Sequence, residues 1–283
     1  MIDRMVFPSE YESHKYSLIH FKFFLQYAML AKIDVKYSRT NEQVFIAENN
    51  DPYFGCVINN TPCIFDYSDH AHRNWLGVHP GPYFKFQTNP GAHPRIIPIG
   101  PPIVGVKNKL TKGQTMREYM ALRETFEYSA DKRVLCKQLP NGAATERREL
   151  VHDIIASNFN QYDIDAKSDQ FAFWREHQHA IAVCVPGATN NMIDRGQMEL
   201  FGLGVCTISP ELRTVLPYGQ LAKPGIHYVQ CADDYSDLVD IINHLYDNLD
   251  YANQIGKNAR KLFELYFSPT SYWKWILSNL STS

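Results

Sequence analysis

The chain has 283 residues, of which 45% are apolar and 20% charged, and its formal net charge is −2. This composition excludes a disordered or fibrous protein. A nucleic-acid-binding protein usually carries a basic surplus or a basic stripe. The sequence has neither, so we expect no nucleic-acid partner. The length allows two small domains or one large domain.

The sequence predicts neither a secretory leader nor a membrane span. Its first eight residues lack the apolar core of a signal peptide. The most apolar stretch, residues 17–33, contains lysine, histidine and glutamine, which is typical of an amphipathic helix. The six cysteines form no Cys-x-x-Cys pair. We therefore expect buried free thiols and a cytoplasmic location.

The two halves of the chain have different patterns. Up to about residue 105 the segments are short, aromatic and interrupted by proline and glycine. Apolar runs predict buried strands at 44–47 and 63–65, and the prolines between 80 and 102 predict a loop-rich region. Apolar spacing then predicts a helix at 115–126.

A regular alternation of strands and helices begins at residue 132. The predicted strands are 133–139, 162–166, 181–185, 205–208 and 227–231. The predicted helices are 145–159, 169–179, 193–201, 238–249 and 251–267. This order is typical of a parallel sheet covered on both faces by helices. Ligands of such sheets bind at the carboxyl ends of the strands, beside helix N-termini.

The first candidate binding motif is Asn-Gly-Ala-Ala-Thr-Glu-Arg-Arg-Glu at 141–149, between a predicted strand and its helix. Thr145 suits the N-cap position. Arg147 and Arg148 then fall in the first turn, where cations oppose the helix dipole. A bound anion would remove that conflict. The alternative is a solvated arginine pair bonded to the neighbouring glutamates.

The second candidate motif lies in 185–199, where a buried strand ends in a polar loop that precedes a helix. Arg195 and Glu199 are four residues apart and so share one helix face. An arginine suits a diphosphate, and a carboxylate suits a ribose diol. The alternative is a plain surface ion pair between the two side chains.

A third motif offers carboxylates for proton transfer. Asp66 follows the predicted strand 63–65, and Asp69 lies in the loop beyond it. A carboxylate at a strand end is a general-base candidate. The alternative is a loop capped by aspartate side chains.

Two weaker patterns raise the question of a metal site. His70 and His72 have no further ligand at metal-binding spacing. Asp163 and Asp165 form an Asp-x-Asp pair, which in some proteins holds a divalent ion beside a nucleotide diphosphate. Such short matches arise often by chance, so we expect no metal.

Several stretches of the second half resemble the protein O-glucosyltransferase and capsule-associated xylosyltransferase family. They are Lys-Pro-Gly-Ile-His-Tyr-Val at 223–229, Asp-Asp-Tyr-Ser-Asp-Leu at 233–238 and Asp-Tyr-Ala-Asn-Gln-Ile-Gly at 250–256. Residues 142–149 are similar to the phosphate loop of that family. Residues 186–199 are similar to its Gly-x-x-x-Ser-x-Arg segment and to the exostosin pattern. The resemblance covers residues from about 132 to the end.

The resemblance implies an α/β protein with the GT-B glycosyltransferase fold, in which two Rossmann-like domains face a cleft. The expected parts are an acceptor-binding domain at 1–125, a nucleotide-sugar-binding domain at 126–267 and a crossover helix at 268–283. That helix is expected to pack back on the N-terminal domain.

The resemblance also implies the activity. An inverting, metal-independent transferase would move a sugar, with xylose as first choice, from a UDP-sugar to a glycan acceptor without a cofactor. The expected donor-binding residues are Arg147 and Arg195 on the diphosphate, Glu199 on the ribose, and Thr189, Asn190 and Asn191 along the nucleotide. Alanine stands where the family's loop has its first arginine, and Arg148 is expected to supply the missing charge. Asp194 replaces the family's serine.

With the donor residues in the second half, we expect the general base in the first half. Asp69 is the first choice, followed by Asp66 and then Asp51. The aromatic side chains of Tyr83, Phe84 and Phe86 are candidates for stacking against acceptor sugar rings.

A compact chain without a leader is similar to the xylosyltransferases by which chlorella viruses build their capsid glycan, which would place it in the host cytoplasm. Three alternatives stay open: a sugar- or nucleotide-binding module without turnover, a UDP-glucose-dependent transferase, and a metal-dependent transferase.

Overall fold

The chain folds as a mixed α/β protein in a computed structural model. The structure describes residues 2–8, 15–33, 35–40, 53–67, 81–86, 88–100, 114–140, 144–159, 170–186 and 191–280. Two compact units divide the chain. The first comprises Met1–Glu118, Val215–Gln220 and Tyr266–Ser283, and the second comprises Tyr119–Thr214 and Leu221–Leu265. Whether these units are the acceptor and donor domains of a GT-B enzyme stays a prediction.

The described elements follow one another as short strands and longer helices. The strands are β1 (Ile2–Pro8), β2 (Val35–Thr40), β3 (Tyr53–Ile58), β4 (Thr61–Asp66), β5 (Tyr83–Lys85), β6 (Ile96–Pro98), β7 (Val134–Leu135), β8 (Ile181–Val183), β9 (Thr207–Ser209) and β10 (Val229–Gln230). The helices are α1 (Lys15–Leu30), α2 (Gln114–Thr125), α3 (Thr145–Asn158), α4 (Gln170–Glu176), α5 (Arg195–Leu203), α6 (Leu238–Asp247), α7 (Leu249–Tyr266) and α8 (Pro269–Leu280). Among the described residues, no helix combines the length and apolarity needed to cross a membrane.

The first unit contains a mixed sheet with the strand order β2-β1-β3-β4-β5-β6. Strand β3 is antiparallel to both of its neighbours, and the other neighbouring pairs are parallel. The carboxyl end of β4 is therefore on the same edge of the sheet as the carboxyl end of β5. Asp66 and Lys85, the last residues of these strands, are register partners.

Helices α1 and α8 pack on one face of this sheet through aromatic side chains. The ring of Phe24 lies 4.5 Å from that of Phe65 in β4 and 4.5 Å from that of Trp273 in α8, measured between centroids. The hydroxyl of Tyr27 donates to the carbonyl oxygen of Phe267 at 2.7 Å. Pro269 begins α8, which suits a residue that has no backbone N–H to contribute.

The described part of the region predicted to be loop-rich is mostly loop, and it contains the two three-residue strands β5 and β6. Proline is tolerated because β6 is at the edge of the described sheet and Pro98 is its last residue. One expectation for the first half is wrong. Tyr83, Phe84 and Phe86 are buried, so they present no surface to a sugar ring. The predicted strand at 44–47 lies outside the described residues.

The second unit contains a sheet of four described strands in the order β10-β9-β8-β7, all parallel. The predicted alternation of strands and helices is confirmed here, although β7, β8 and β10 are shorter than predicted. The predicted strand at 162–166 lies outside the described residues.

Helices cover both faces of this second sheet. On one face, α3, α6 and α7 enclose a core with the alternate strand residues; its members include Val151, Ile155, Ile181, Val183, Cys206, Ile208, Leu238, Ile242 and Ile255. On the other face, Gln197 of α5 donates through Nε2 to the hydroxyls of Thr207 (3.3 Å) and Ser209 (3.1 Å) in β9. Helices α3 and α5, which follow β7 and β8 in the chain, therefore lie on opposite faces of the sheet.

All six cysteines are buried and free, as the sequence predicts. Burial raises the pKa of Cys136 to about 12. It also raises the pKa of Cys184, at the end of β8, well above its usual value. These thiols keep their protons at neutral pH and are not thiolate nucleophiles.

Candidate functional site

The carboxyl ends of β7 and β8 form the candidate site. These strands are adjacent and parallel, and the helices that follow them lie on opposite faces of the sheet. Such a pair of strands marks a topological switch point, where loops diverge and leave room for a ligand. Around it lie Gln138, Arg147, Arg148, Asn191 and Asp194, which we call the switch-point cluster.

Helix α3 begins at the switch point without a side-chain cap. Its N-cap residue is Ala144, whose methyl group accepts no hydrogen bond, and Thr145 is the first helical residue. The prediction of Thr145 as N-cap is therefore wrong by one position. The first N–H groups of a helix carry a partial positive charge and suit an anion.

Arg147 reaches from α3 across to the loop after β8. Its Nη2 donates to the carbonyl oxygen of Pro186 at 3.2 Å, and its Nη1 donates to Oδ1 of Asn191 at 3.4 Å. The guanidinium is half-buried. Two of the predicted donor-binding residues, Arg147 and Asn191, are thus brought together by the fold.

Arg148 supports the same edge of the sheet from the β7 side. Its Nη1 donates to the carbonyl oxygen of Leu139 at 3.0 Å, and its Nη2 lies 3.9 Å from Oδ2 of Asp194. The arginine pair is therefore bonded to loop carbonyls and to Asp194. This differs from the alternative in which both side chains pair with Glu146 and Glu149 in solvent.

Gln138 is a residue that the sequence analysis missed. Its Nε2 donates to the carbonyl oxygen of Val185 at 3.1 Å and also to Oδ2 of Asp194, while its Oε1 accepts from the backbone N–H of Val185. This side chain joins the chain after β7 to the chain after β8. A lone glutamine after a strand carries no sequence signal for that role.

Asp194 caps α5 and so occupies the second helix N-terminus at the switch point. Its Oδ1 accepts from the backbone N–H of Gln197 at 2.9 Å. Aspartate is among the preferred N-cap residues, and this signal was available in the sequence. Because α5 already holds a carboxylate at its N-cap and α3 has an alanine there, the start of α3 is the better candidate for an anion.

Arg195 and Glu199 form the predicted i,i+4 pair, with 3.6 Å between Nε and Oε1. The two partners differ in exposure: the Arg195 side chain is 42% exposed and that of Glu199 is 1% exposed. Oε2 of Glu199 accepts from Nε1 of Trp174 at 2.9 Å and from Nε2 of Gln170 at 2.7 Å. Glu199 is thus a buried acceptor that joins α5 to α4, and a role for it on a ribose stays a prediction.

The remaining predicted donor and metal residues lie outside the described part of the chain. These are Thr189 and Asn190 among the donor contacts, and Asp163, Asp165, His70 and His72 among the metal candidates. Within the described residues, no three His, Cys, Asp or Glu side chains come together as metal ligands.

Of the three candidates for the general base, only Asp66 lies in the described part of the chain. Asp69 and Asp51 lie outside the described residues. Asp66 is 1% exposed; its Oδ2 accepts from Nζ of Lys85 at 2.7 Å and from the hydroxyl of Tyr83 at 2.6 Å. A carboxylate that is buried in this way and bonded to two side chains is shielded from an incoming hydroxyl. This environment favours Asp69 over Asp66 as the base.

No protein-family model matches the chain, and no curated protein matches it by sequence. The resemblance to glycosyltransferases therefore depends on the sequence motifs alone.

The environment of Glu199 generates a stability prediction. Replacing Glu199 with alanine removes the acceptor of the buried Trp174 N–H, and we expect the free energy of unfolding to fall by about 2–4 kcal/mol. The control is Arg195→Ala, which removes the exposed partner and should change stability by less than about 1 kcal/mol. Chemical denaturation of the ligand-free protein measures both. Equal, small effects would show that Glu199 is not the anchor between α4 and α5.

Proposed function

We propose that the protein is an inverting, metal-independent glycosyltransferase that moves a sugar, with xylose as first choice, from a UDP-sugar to a glycan acceptor. The observation that carries the proposal is the position of Arg147 and Arg148 in the first turn of α3, on the carboxyl edge of a switch point. Such an edge with two cations is suited to a nucleotide diphosphate.

The chemistry requires charge stabilisation on the donor. The acceptor hydroxyl attacks the anomeric carbon, the bond from that carbon to the diphosphate oxygen breaks, and UDP leaves with an added negative charge. Arginines and helix N–H groups stabilise that charge without a metal ion. In the ligand-free protein the two guanidinium groups bond to the carbonyls of Leu139 and Pro186, and we propose that Arg147 turns from its carbonyl to the diphosphate.

A carboxylate must accept the proton of the attacking hydroxyl. We propose Asp69 for this role, with Asp66 as second choice because Asp66 is engaged by Lys85 and Tyr83. The free, buried state of the cysteines supports a reducing compartment. We therefore propose a cytoplasmic enzyme, in the host cytoplasm if the gene is viral.

The activity itself is tested by incubating the protein with UDP-xylose or UDP-glucose and a glycan acceptor in EDTA. Release of UDP together with a new glycosidic product is expected. Binding without release of UDP would identify a binding module, and activity that EDTA abolishes would identify a metal-dependent transferase. A higher rate with UDP-glucose than with UDP-xylose would change the assigned donor sugar from xylose to glucose and leave the proposed reaction unchanged.

Arg147→Ala should weaken UDP binding about ten- to a hundredfold, because a charge-assisted hydrogen bond to phosphate contributes about 1.5–3 kcal/mol. The matched control is Arg175→Ala, which removes an exposed arginine of α4 from the same unit. Calorimetric titration with UDP measures both. An unchanged affinity of Arg147→Ala would remove the main support for the donor site.

Asp69→Asn keeps the size of the side chain and removes the proton acceptor. It should lower kcat by about 10²–10⁴ while UDP affinity stays nearly constant, because Asp69 is not a donor contact. Asp66→Asn is the comparison: it weakens a buried ion pair with Lys85, so it should lower the melting temperature as well. If Asp69→Asn keeps full turnover, the base is another residue, and Asp51 is the next variant.

A further inference from the structure

The hydroxyl of Tyr235 is buried at the switch point with an unused hydrogen-bonding capacity. The residue is 1% exposed, and its hydroxyl oxygen has no hydrogen-bond partner among the described residues. A buried polar group without a partner is unfavourable for stability. Tyrosine at this position therefore carries a cost that phenylalanine would not.

The backbone of Tyr235 is also held in an unfavourable conformation. Its φ is +59°, in the left-handed region that a bulky side chain rarely adopts. Asn191, at +53°, is the other non-glycine residue with positive φ in the described part of the second unit. Both residues belong to the carboxyl edge of the sheet. Strained backbone of this kind clusters at binding sites, where the surrounding structure enforces it.

A hydrogen bond connects the turn that carries Tyr235 to the switch-point cluster. Nδ2 of Asn191 donates to Oδ1 of Asp233 at 3.0 Å, and the other amide atom of Asn191 accepts from Arg147. Asn191 thus holds the Asp233–Tyr235 turn on one side and the guanidinium of Arg147 on the other.

The positive charge of Arg147 acts on the hydroxyl of Tyr235. Burial raises the pKa of Tyr235, and Cys231, Arg147, Cys136 and Cys184 also act on it, with Arg147 opposing the rise. Cys136 and Cys184 directly follow β7 and β8. The phenol therefore keeps its proton at neutral pH and has that proton to donate to a ligand.

We infer that the Tyr235 hydroxyl is a ligand-binding group that donates a hydrogen bond to a phosphoryl oxygen held by Arg147. The inference rests on the proposed function and adds to it a contact on the diphosphate. The ligand would accept the hydrogen bond that the buried hydroxyl lacks in the free protein. Binding would thereby remove the unfavourable free energy of that unpartnered group.

The test is Tyr235→Phe, which removes only the hydroxyl. The melting temperature of the ligand-free variant should be equal to or higher than that of the wild type, because no hydrogen bond is lost. Its affinity for UDP and for pyrophosphate should fall about tenfold, and its affinity for uridine should not change.

The matched control is Tyr228→Phe, another buried tyrosine of the same unit. The Tyr228 hydroxyl accepts from the backbone N–H of Leu212 at 3.0 Å, so this variant should have a lower melting temperature than the wild type. The contrast separates a hydroxyl that serves the fold from one that serves a ligand.

Three results would overturn the inference. If Tyr235→Phe binds UDP and pyrophosphate as tightly as the wild type, the hydroxyl is not a phosphoryl contact, and the proposed function is unaffected. If Tyr235→Phe lowers the melting temperature as much as Tyr228→Phe does, the hydroxyl has a structural partner. If the wild type binds neither UDP nor pyrophosphate, the proposed function and the inference fail together.

Discussion

The structure of the second unit depends on the hydrogen bonds that join the loops after β7 and β8. The two strands are adjacent, but the chain leaves them toward opposite faces, so their loops diverge and expose backbone carbonyls. Arg147 and Arg148 donate to the carbonyls of Pro186 and Leu139, and Gln138 joins the two loops through Val185. The need to bond these loop carbonyls therefore accounts both for the stability of this edge and for the two arginines that give it positive charge.

The partners described for the two arginines at this edge are mostly neutral. Asp194 lies near Arg148 but serves mainly as the cap of α5. Arg147 has neutral partners among the hydrogen bonds described for it, an amide oxygen and a carbonyl. Its position in the first turn of α3 is unfavourable for a cation, and Tyr235 adds a strained backbone. A bound anionic ligand would offset the unfavourable position of Arg147 and the strain at Tyr235. Such a loss of stability is common at residues that serve a function.

The sequence predicted the second unit better than the first. Amphipathic helices such as α6 and α7 and apolar strands such as β8 have patterns that are visible locally. In contrast, β2, with the sequence Val-Lys-Tyr-Ser-Arg-Thr, is polar and at a sheet edge, and so resembles a loop. At the site, Arg147 was predicted because its position in a helix is visible locally. The burial of Glu199 against Trp174 and the isolation of the Tyr235 hydroxyl depend on residues distant in sequence, so no local pattern reveals them.

The central claim is that a nucleotide diphosphate binds at the carboxyl edge of the β7–β8 switch point. Hydrogen–deuterium exchange of the wild-type protein, with and without saturating UDP, tests this location directly. The account predicts slower exchange in peptides that cover residues 144–151, 191–198 and 231–238, which contain the start of α3, the start of α5 and the Tyr235 turn. Slower exchange confined to other peptides, such as those of β1–β6, would contradict the claim.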